Sequence, residues 1–471
     1  MADDSEDAPS HVGRDAVWST VGILMSGGAQ FLLSAIVGNA GGPALLGAVR
    51  GALSLANTAS LAWPSAAGQS ASLFVARERS AGREASADFA ERHLVVRAMQ
   101  AALVLAPVSG AVSVVLFGFG LADAAWVGAL VLALAGYQVA RGVRFGRSRV
   151  REATVWEVVN AALTLGLLGV VLVVGAPGWV LAPLVVGNGL YALGVLVRLP
   201  RSGEREPALA REMDQFVAWG VAGTIASTGL MQLSMVLTKA VLGDDQAGWY
   251  AAAVSLATPL SMVARALSMA LFPEMARQQG RGDAEATRAI TDRATRGLFF
   301  VMTPGFAALA LVAEPLVHLI YRDAFAPAVL PLRILLLAVW LGTVVTAAVN
   351  SINVRGRGGV RFSAGLSWAG FVVGLGLMAV LLPVWGVAGV AIAYLAGVAT
   401  TGGTALVHVW RRDGHAWLFA VAVSLIAGGA VAAAVVTLPA LSSWTWSLVA
   451  VAVLCVVWVA AWALLRPRER R

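Results

Sequence analysis

The stretch LLGAVRGALSLAN at residues 45–57 has a counterpart about 200 residues later, QAGWYAAAVSLAT at 246–258. Five of the thirteen positions are identical at a constant offset of 201 residues. The two apolar segments also end in similar phrases, SLFVAR at 72–77 and ALFPEMAR at 270–277. We interpret the two stretches as one structural unit present twice, with both copies running in the same direction. The alternative is chance similarity between helices of like composition.

The composition around these stretches is that of a membrane protein. Of 471 residues, 59% are hydrophobic and only 13% are charged, against about 25% charged residues in soluble domains. The net charge of +8 comes from Arg clusters between apolar runs and not from one basic face, so a nucleic-acid partner is excluded. The sequence contains no catalytic set, metal-ligand spacing or phosphate-binding glycine motif, and its single Cys455 cannot form a pair. We therefore predict neither an enzyme nor a bound metal or cofactor.

The apolar runs correspond to fourteen membrane spans. A helix needs about 20 apolar residues to cross the hydrocarbon core. Seven runs have the length of one span, one more span contains Arg265, and three runs have double length with turn residues near the middle: GAPG at 175–178, LPVWG at 382–386 and LPALSS at 438–443. The predicted fold is all-α and polytopic, with two six-helix bundles related as a parallel repeat and two further helices at the C-terminus.

Positive charge alternates along the chain, which predicts the orientation. Every second connection between spans is rich in Arg, whereas the opposite connections carry Asp, with Arg322 as one exception, or no charge. Because cytoplasmic loops retain positive charge, both termini are expected in the cytoplasm of a bacterium, with the chain in its plasma membrane. The predicted domains are a disordered cytoplasmic tail at 1–15, a six-helix bundle at 16–200, a linker at 201–214, a second bundle at 215–410, and two helices with a basic tail at 411–471.

Three segments carry a resemblance to a known family. LGDDQAGWYAAAVSL at 242–256, ALFPEMAR at 270–277 and AEPLVHLIYRDAFAPAVLPLRILLLA at 313–338 resemble the polysaccharide-export (O-antigen type) flippases of the multidrug/oligosaccharidyl-lipid/polysaccharide (MOP) superfamily. The pair of helices at 38–77 fits that family's first hairpin. The likeness extends from about residue 16 to 410, and its motifs are largely structural.

The resemblance implies a MATE-like fold and translocation of a polyprenyl-diphosphate-linked oligosaccharide by alternating access. Membrane lipids, and glycosyltransferases or a polymerase of the same pathway, would be the partners. Two alternatives stay open, a MATE-like exporter of small molecules or drugs and a non-transporting scaffold of a cell-envelope assembly complex. The first, second, fourth and sixth spans contain no mid-span acidic residue, which argues against a cation-coupled drug exporter.

Arg265 is the leading candidate for substrate binding. It precedes Arg277 by 12 residues, which places it about 18 Å from that end of its helix. A charge at bilayer depth costs about 2.5–3.5 kcal/mol on insertion scales, and a guanidinium in a wet cleft can bind diphosphate oxygens in a bidentate manner. The alternative is a buried ion pair that only joins helices.

Four other basic residues are expected near the outer rim: Arg50, Lys239, Arg322 and Arg333. Each is either an interfacial anchor or part of a cationic vestibule for an anionic head group. Glu314 either pairs with Arg322 or Arg333 or titrates, whereas Glu157 is expected to be shallow on the cytoplasmic side.

Uncharged polar residues within the spans are candidates for the cavity. Asn57 and Gln232 either line the transport cavity or form hydrogen bonds between helices. Pro64 stands 201 residues before Arg265, and a proline kink at that position is a candidate hinge. The same two alternatives apply to the remaining amides, namely Gln30, Gln100, Gln138, Asn160 and Asn188.

Overall fold

The computed structural model describes residues 8–200, 206–438 and 443–465, apart from a few side chains within these ranges. Every regular element in these ranges is helical. Parts of the predicted terminal tails, the linker and the last hairpin lie outside them. The helices are α1 (Ala8–Leu61), α2 (Pro64–Ser80), α3 (Glu84–Phe117), α4 (Leu121–Gly146), α5 (Val150–Val174), α6 (Ala182–Leu196), α7 (Pro207–Thr224), α8 (Leu230–Gly280), α9 (Ala284–Leu311), α10 (Ala313–Tyr321), α11 (Val329–Val344), α12 (Thr346–Asn353), α13 (Arg357–Val398), α14 (Thr404–Asp413), α15 (Leu418–Thr437) and α16 (Trp444–Leu465).

Eleven helical stretches in the described ranges are long and apolar enough to cross a membrane. Three of them contain a glycine with a positive φ that joins two helices: Gly42 (φ 69°), Gly243 (φ 83°) and Gly386 (φ 55°). Only glycine adopts this conformation without a steric penalty. The three divided stretches raise the number of spans from eleven to fourteen, which confirms the predicted all-α polytopic fold.

The internal repeat recurs in the backbone. Gly42 and Gly243 are 201 residues apart and have nearly the same ψ, −167° and −171°. Gly82 and Gly282 also share a positive φ, 74° and 77°, in the turns after α2 and α8. The echo between residues 45–57 and 246–258 therefore reflects the same hairpin built twice.

The described residues form two compact units. The first comprises residues up to Ala40 and Leu45–Asp244, and the second comprises Gly41–Ala44 and the chain from Asp245 onward. Helix α7 and the start of α8 belong to the first unit, although the sequence repeat groups them with the second half. The ion pair between Arg77 and Glu212 at 2.7 Å helps to hold them there. The predicted domain boundaries, drawn from the repeat, stay a prediction.

Close packing of α2 against α4 depends on glycine. A Cβ added to Gly142 would lie 1.9 Å from the carbonyl oxygen of Gly68, and one added to Gly68 would lie 2.6 Å from the carbonyl oxygen of Gln138. Small residues let two backbones approach in this way within a membrane. Phe74, Leu94, Val139 and other buried residues complete the core around this contact. The second unit has a separate core that includes Phe299, Val344, Ile352 and Trp417.

Replacing Gly142 with alanine should therefore destabilise the protein by up to about 3 kcal/mol, because the new methyl group forces α2 away from α4. Gly166 is the matched control, since a Cβ there would meet nothing within 4 Å. Gly166→Ala should leave stability unchanged or raise it by about 0.5–1 kcal/mol. The midpoints of thermal unfolding in detergent compare the two variants, and equal midpoints would contradict the proposed packing role.

Candidate functional site

Arg265 lies in α8, downstream of the reversal at Gly243. Its side chain is outside the part of the chain that the structure describes. Its role in substrate binding therefore stays a prediction from its position in the sequence.

Arg50 is half-buried and bonded to the first half of α1. Its Nε donates to the Ser34 Oγ at 2.8 Å, and one terminal nitrogen donates to the carbonyl oxygen of Gln30 at 3.0 Å. The guanidinium therefore joins the two arms of the first hairpin.

Lys239 occupies an enclosed position in the first unit, with only 3% of its surface exposed. Its Nζ forms an ion pair with Asp244 and lies 5.8 Å and 5.2 Å from the ring centres of Phe117 and Phe119. Its aliphatic stem covers Gly51, where an added Cβ would come within 2.9 Å of it. A carboxylate and two aromatic faces together stabilise a desolvated ammonium group.

Arg333 lies at an apolar groove in the second unit, with a volume of about 480 Å³. Its Nε donates to the Ala310 carbonyl oxygen at 3.1 Å, and its guanidinium lies 3.9 Å from the Glu314 carboxylate. The groove walls come from α9, α11 and α15 and include Phe306, Leu330, Leu336, Trp340, Leu425 and Val435.

The few uncharged polar groups of this groove bond to one another. The Trp340 Nε1 donates to the Thr303 Oγ1 at 3.1 Å, and that hydroxyl lies 3.0 Å from the Ser424 Oγ. Since these groups are satisfied, the groove offers an apolar surface with one guanidinium. This combination suits a long hydrocarbon chain that ends in an anionic group.

The other predicted residues are dispersed. Arg322 is exposed in the turn after α10, with a φ of 65°, and Gln232 is half-buried in α8. Pro64 begins α2 directly after a break in the helix at residues 62–63. A proline is well tolerated at this position because it lacks the N–H that a helix start leaves unpaired. The break places a bend where the hinge was predicted, while movement about it stays a prediction.

Asn57 lines a polar cavity in the first unit, with a volume of about 130 Å³. Glu157, which is only 4% exposed, also lines the cavity. The Tyr137 hydroxyl donates to the Glu157 Oε1 at 2.7 Å, and the Arg141 Nε lies 3.2 Å from the same oxygen. The other polar residues of the lining are Ser26, Gln30, Gln138, Asn160, Thr164 and Asn188.

The amides of this cavity also bond to one another between α5 and α6. The Asn160 Nδ2 donates to the Asn188 Oδ1 at 3.3 Å, and the Thr164 hydroxyl donates to the Asn160 Oδ1 at 3.2 Å. They thus both line a cavity and join helices. Sequence reasoning missed Tyr137 and Arg141, and it assigned Glu157 no place in a cavity. The only signal was spacing, since Tyr137 and Arg141 stand four residues apart on one face of α4.

The fold resembles solved transporters. The chain matches the lipid II flippase MurJ in an inward closed conformation with a TM-score of 0.74, at 11% identity, over 96% of this chain and 100% of that one. It matches an inward-facing multidrug resistance MATE transporter of the MOP superfamily with a TM-score of 0.66, at 15% identity, over 84% and 94% of the two chains. It also matches a mutant of the Vibrio cholerae MATE transporter VcmN with a TM-score of 0.58, at 16% identity, over 86% of this chain and 96% of that one.

Among curated proteins, none is significantly similar in sequence to this chain. The structural matches, at such low identity, concern the fold alone. They agree with the predicted all-α, polytopic membrane fold. The family assignment comes from the sequence itself, because the profile of the polysaccharide biosynthesis protein family matches residues 74–330, more than half of the chain. The chain therefore belongs to the family of polysaccharide biosynthesis proteins, with the fold of the MOP superfamily, as the resemblance in its sequence indicated.

Proposed function

We propose that this chain is a flippase that moves a polyprenyl-diphosphate-linked oligosaccharide across the plasma membrane of a bacterium, for cell-surface polysaccharide biosynthesis. Both termini would lie in the cytoplasm, and transport would proceed by alternating access. Membrane lipids surround the chain, and glycosyltransferases or a polymerase of the same pathway would supply or consume the substrate.

The observation that carries this proposal is the groove in the second unit. Its walls are apolar, its volume is about 480 Å³, and Arg333 supplies a guanidinium within it. A polyprenyl chain needs an apolar surface, and its diphosphate needs a cation. A soluble drug has no comparable need for an apolar groove beside a cation.

Two further facts support the same substrate class. The family of this chain is one of polysaccharide biosynthesis proteins, and a protein of the same fold is named as a flippase of lipid II, itself a lipid-linked sugar. Arg265 and Arg50 would contact the anionic head group as it crosses, whereas Lys239 is enclosed and already paired with Asp244.

A strain that lacks this gene tests the proposal. We expect surface polysaccharide to fall and the lipid-linked oligosaccharide to accumulate in the inner leaflet, where an impermeant glycan-binding probe added to intact spheroplasts does not reach it. Normal surface polysaccharide together with a new sensitivity to drugs would instead identify an exporter. A wild-type copy of the gene, expressed from a plasmid, is the control and should restore the surface polysaccharide.

A further inference from the structure

A second, smaller polar cavity lies at one end of the first unit, where α4 ends and α5 begins. Its volume is about 120 Å³. Four guanidinium groups and two carboxylates line it, so positive charge is in excess: Arg144, Arg147, Arg149, Arg198, Glu91 and Glu152. No residue of its lining belongs to the groove or to the polar cavity described above.

One carboxylate of this cavity is already neutralised. Glu91 is 3% exposed, and its Oε2 accepts a hydrogen bond from the Arg147 Nε at 2.6 Å. Arg147 also donates to the Asp88 Oδ1 at 2.8 Å. These three side chains form an ion-pair network of one guanidinium and two carboxylates, so Arg147 adds no free positive charge for a ligand.

The other three guanidinium groups converge on Glu152 alone. The carboxylate of Glu152 lies 3.7 Å from Arg144, 3.6 Å from Arg149 and 3.8 Å from Arg198. Each distance exceeds the length of a hydrogen bond. One carboxylate thus faces three cations without bonding to any of them, and the cavity keeps an excess of two positive charges.

The surrounding residues hold the Arg144 side chain in this position. It is 2% exposed, its two terminal nitrogens donate to the Tyr191 carbonyl oxygen at 3.2 and 3.3 Å, and its guanidinium lies 4.2 Å from the centre of the Tyr191 ring. Gly194 makes room, because a Cβ there would come within 2.7 Å of the Arg144 Nη2. Across the described residues, however, the Arg144 Nε donates no hydrogen bond. A buried donor without an acceptor is costly unless a ligand supplies one.

We propose that this cavity binds a phosphate group. Its oxygens would accept from the Arg144 Nε and from the guanidinium groups of Arg149 and Arg198, whose side chains are 48% and 72% exposed and can close over the ligand. The start of α5 at Val150 adds the positive end of a helix to the same place. The phosphate belongs either to an anionic lipid headgroup or to a free ion. This proposal does not depend on the transport function.

The test titrates purified full-length protein in neutral detergent, at constant ionic strength, with phosphatidate in one arm and inorganic phosphate in the other. The thermal unfolding midpoint reports binding. The double variant Arg149→Gln/Arg198→Gln should weaken binding at least about tenfold. Arg92→Gln/Arg211→Gln removes the same charge from exposed positions of the same unit outside the cavity, and should change affinity by less than about twofold.

The variant Glu152→Gln distinguishes a ligand-binding site from an ion-pair network that binds no ligand. It removes the carboxylate that competes with the ligand, so binding should tighten several-fold. A response to phosphatidate alone assigns the site to a lipid headgroup, and a response to both ligands assigns it to phosphate from either source. The proposal is overturned if neither ligand shifts the midpoint, if both double variants weaken binding equally, or if Glu152→Gln weakens it.

Discussion

Replacing Arg265 with alanine should reduce export of the lipid-linked glycan at least about tenfold, because one lost charge-assisted contact is worth about 1.5–3 kcal/mol. Arg265 lies within α8, 12 residues before Arg277. A guanidinium at that depth costs about 2.5–3.5 kcal/mol on insertion scales. Removing this guanidinium should therefore not harm membrane insertion, and the effect should appear as a lower rate of transport. Surface polysaccharide in the complemented deletion strain measures the effect, with membrane levels of the protein measured in parallel.

Two variants sharpen this test. Arg265→Lys keeps the charge but loses the bidentate fork, so it should export less than wild type and more than the alanine variant. Arg281→Ala removes an exposed arginine after α8 and should export normally. Unchanged export by Arg265→Ala would remove this residue from the substrate path. Loss of the protein from the membrane would instead identify Arg265 as a structural ion-pair residue.

Replacing Glu157 with alanine should destabilise the first unit by about 3 kcal/mol. The change removes the acceptor of the Tyr137 hydroxyl and leaves the Arg141 guanidinium without the carboxylate that lies 3.2 Å away. An uncompensated buried charge is more costly than the absence of both partners. The thermal unfolding midpoint of the protein in detergent measures the loss.

The double variant Glu157→Ala/Arg141→Met is the control for that explanation. It removes the orphaned charge, so it should be more stable than Glu157→Ala alone, and the two effects should not add. Additive losses would mean that the ion pair contributes nothing. Glu157→Gln extends the comparison, since the amide keeps an acceptor for Tyr137; wild-type stability with lost transport would give Glu157 a part in the transport cycle.

Much of the fold could be predicted because the requirements of membrane insertion are visible in short stretches of the sequence. Apolar length indicates each span, and the double runs contain turn residues such as those around Gly386. The reversals at Gly42 and Gly243 share a backbone conformation that few residues other than glycine adopt. The repeat at residues 45–57 and 246–258 follows directly from these positions.

The site was less predictable because it depends on which helix faces meet. The sequence predicts Lys239 to be an interfacial anchor at the outer rim, yet its side chain is enclosed by Asp244, Phe117 and Phe119. The sequence predicts Glu157 to lie at shallow depth on the cytoplasmic side, yet its carboxylate is buried against Tyr137 and Arg141, both from α4. Spacing along one helix cannot reveal a partner on another helix. The association of α7 with the first unit was hidden for the same reason, since it rests on tertiary contacts such as that of Arg77 with Glu212.

Flipping by the purified protein tests the central claim most directly. The protein is reconstituted into liposomes that carry a fluorescent polyprenyl-diphosphate-linked oligosaccharide, and an impermeant quencher reports the fraction that stays accessible from outside. Wild-type protein should make the inner and outer pools exchange, the Arg265→Ala variant should slow that exchange at least about tenfold, and protein-free liposomes should show none. Exchange no faster with wild-type protein than in protein-free liposomes would contradict the account.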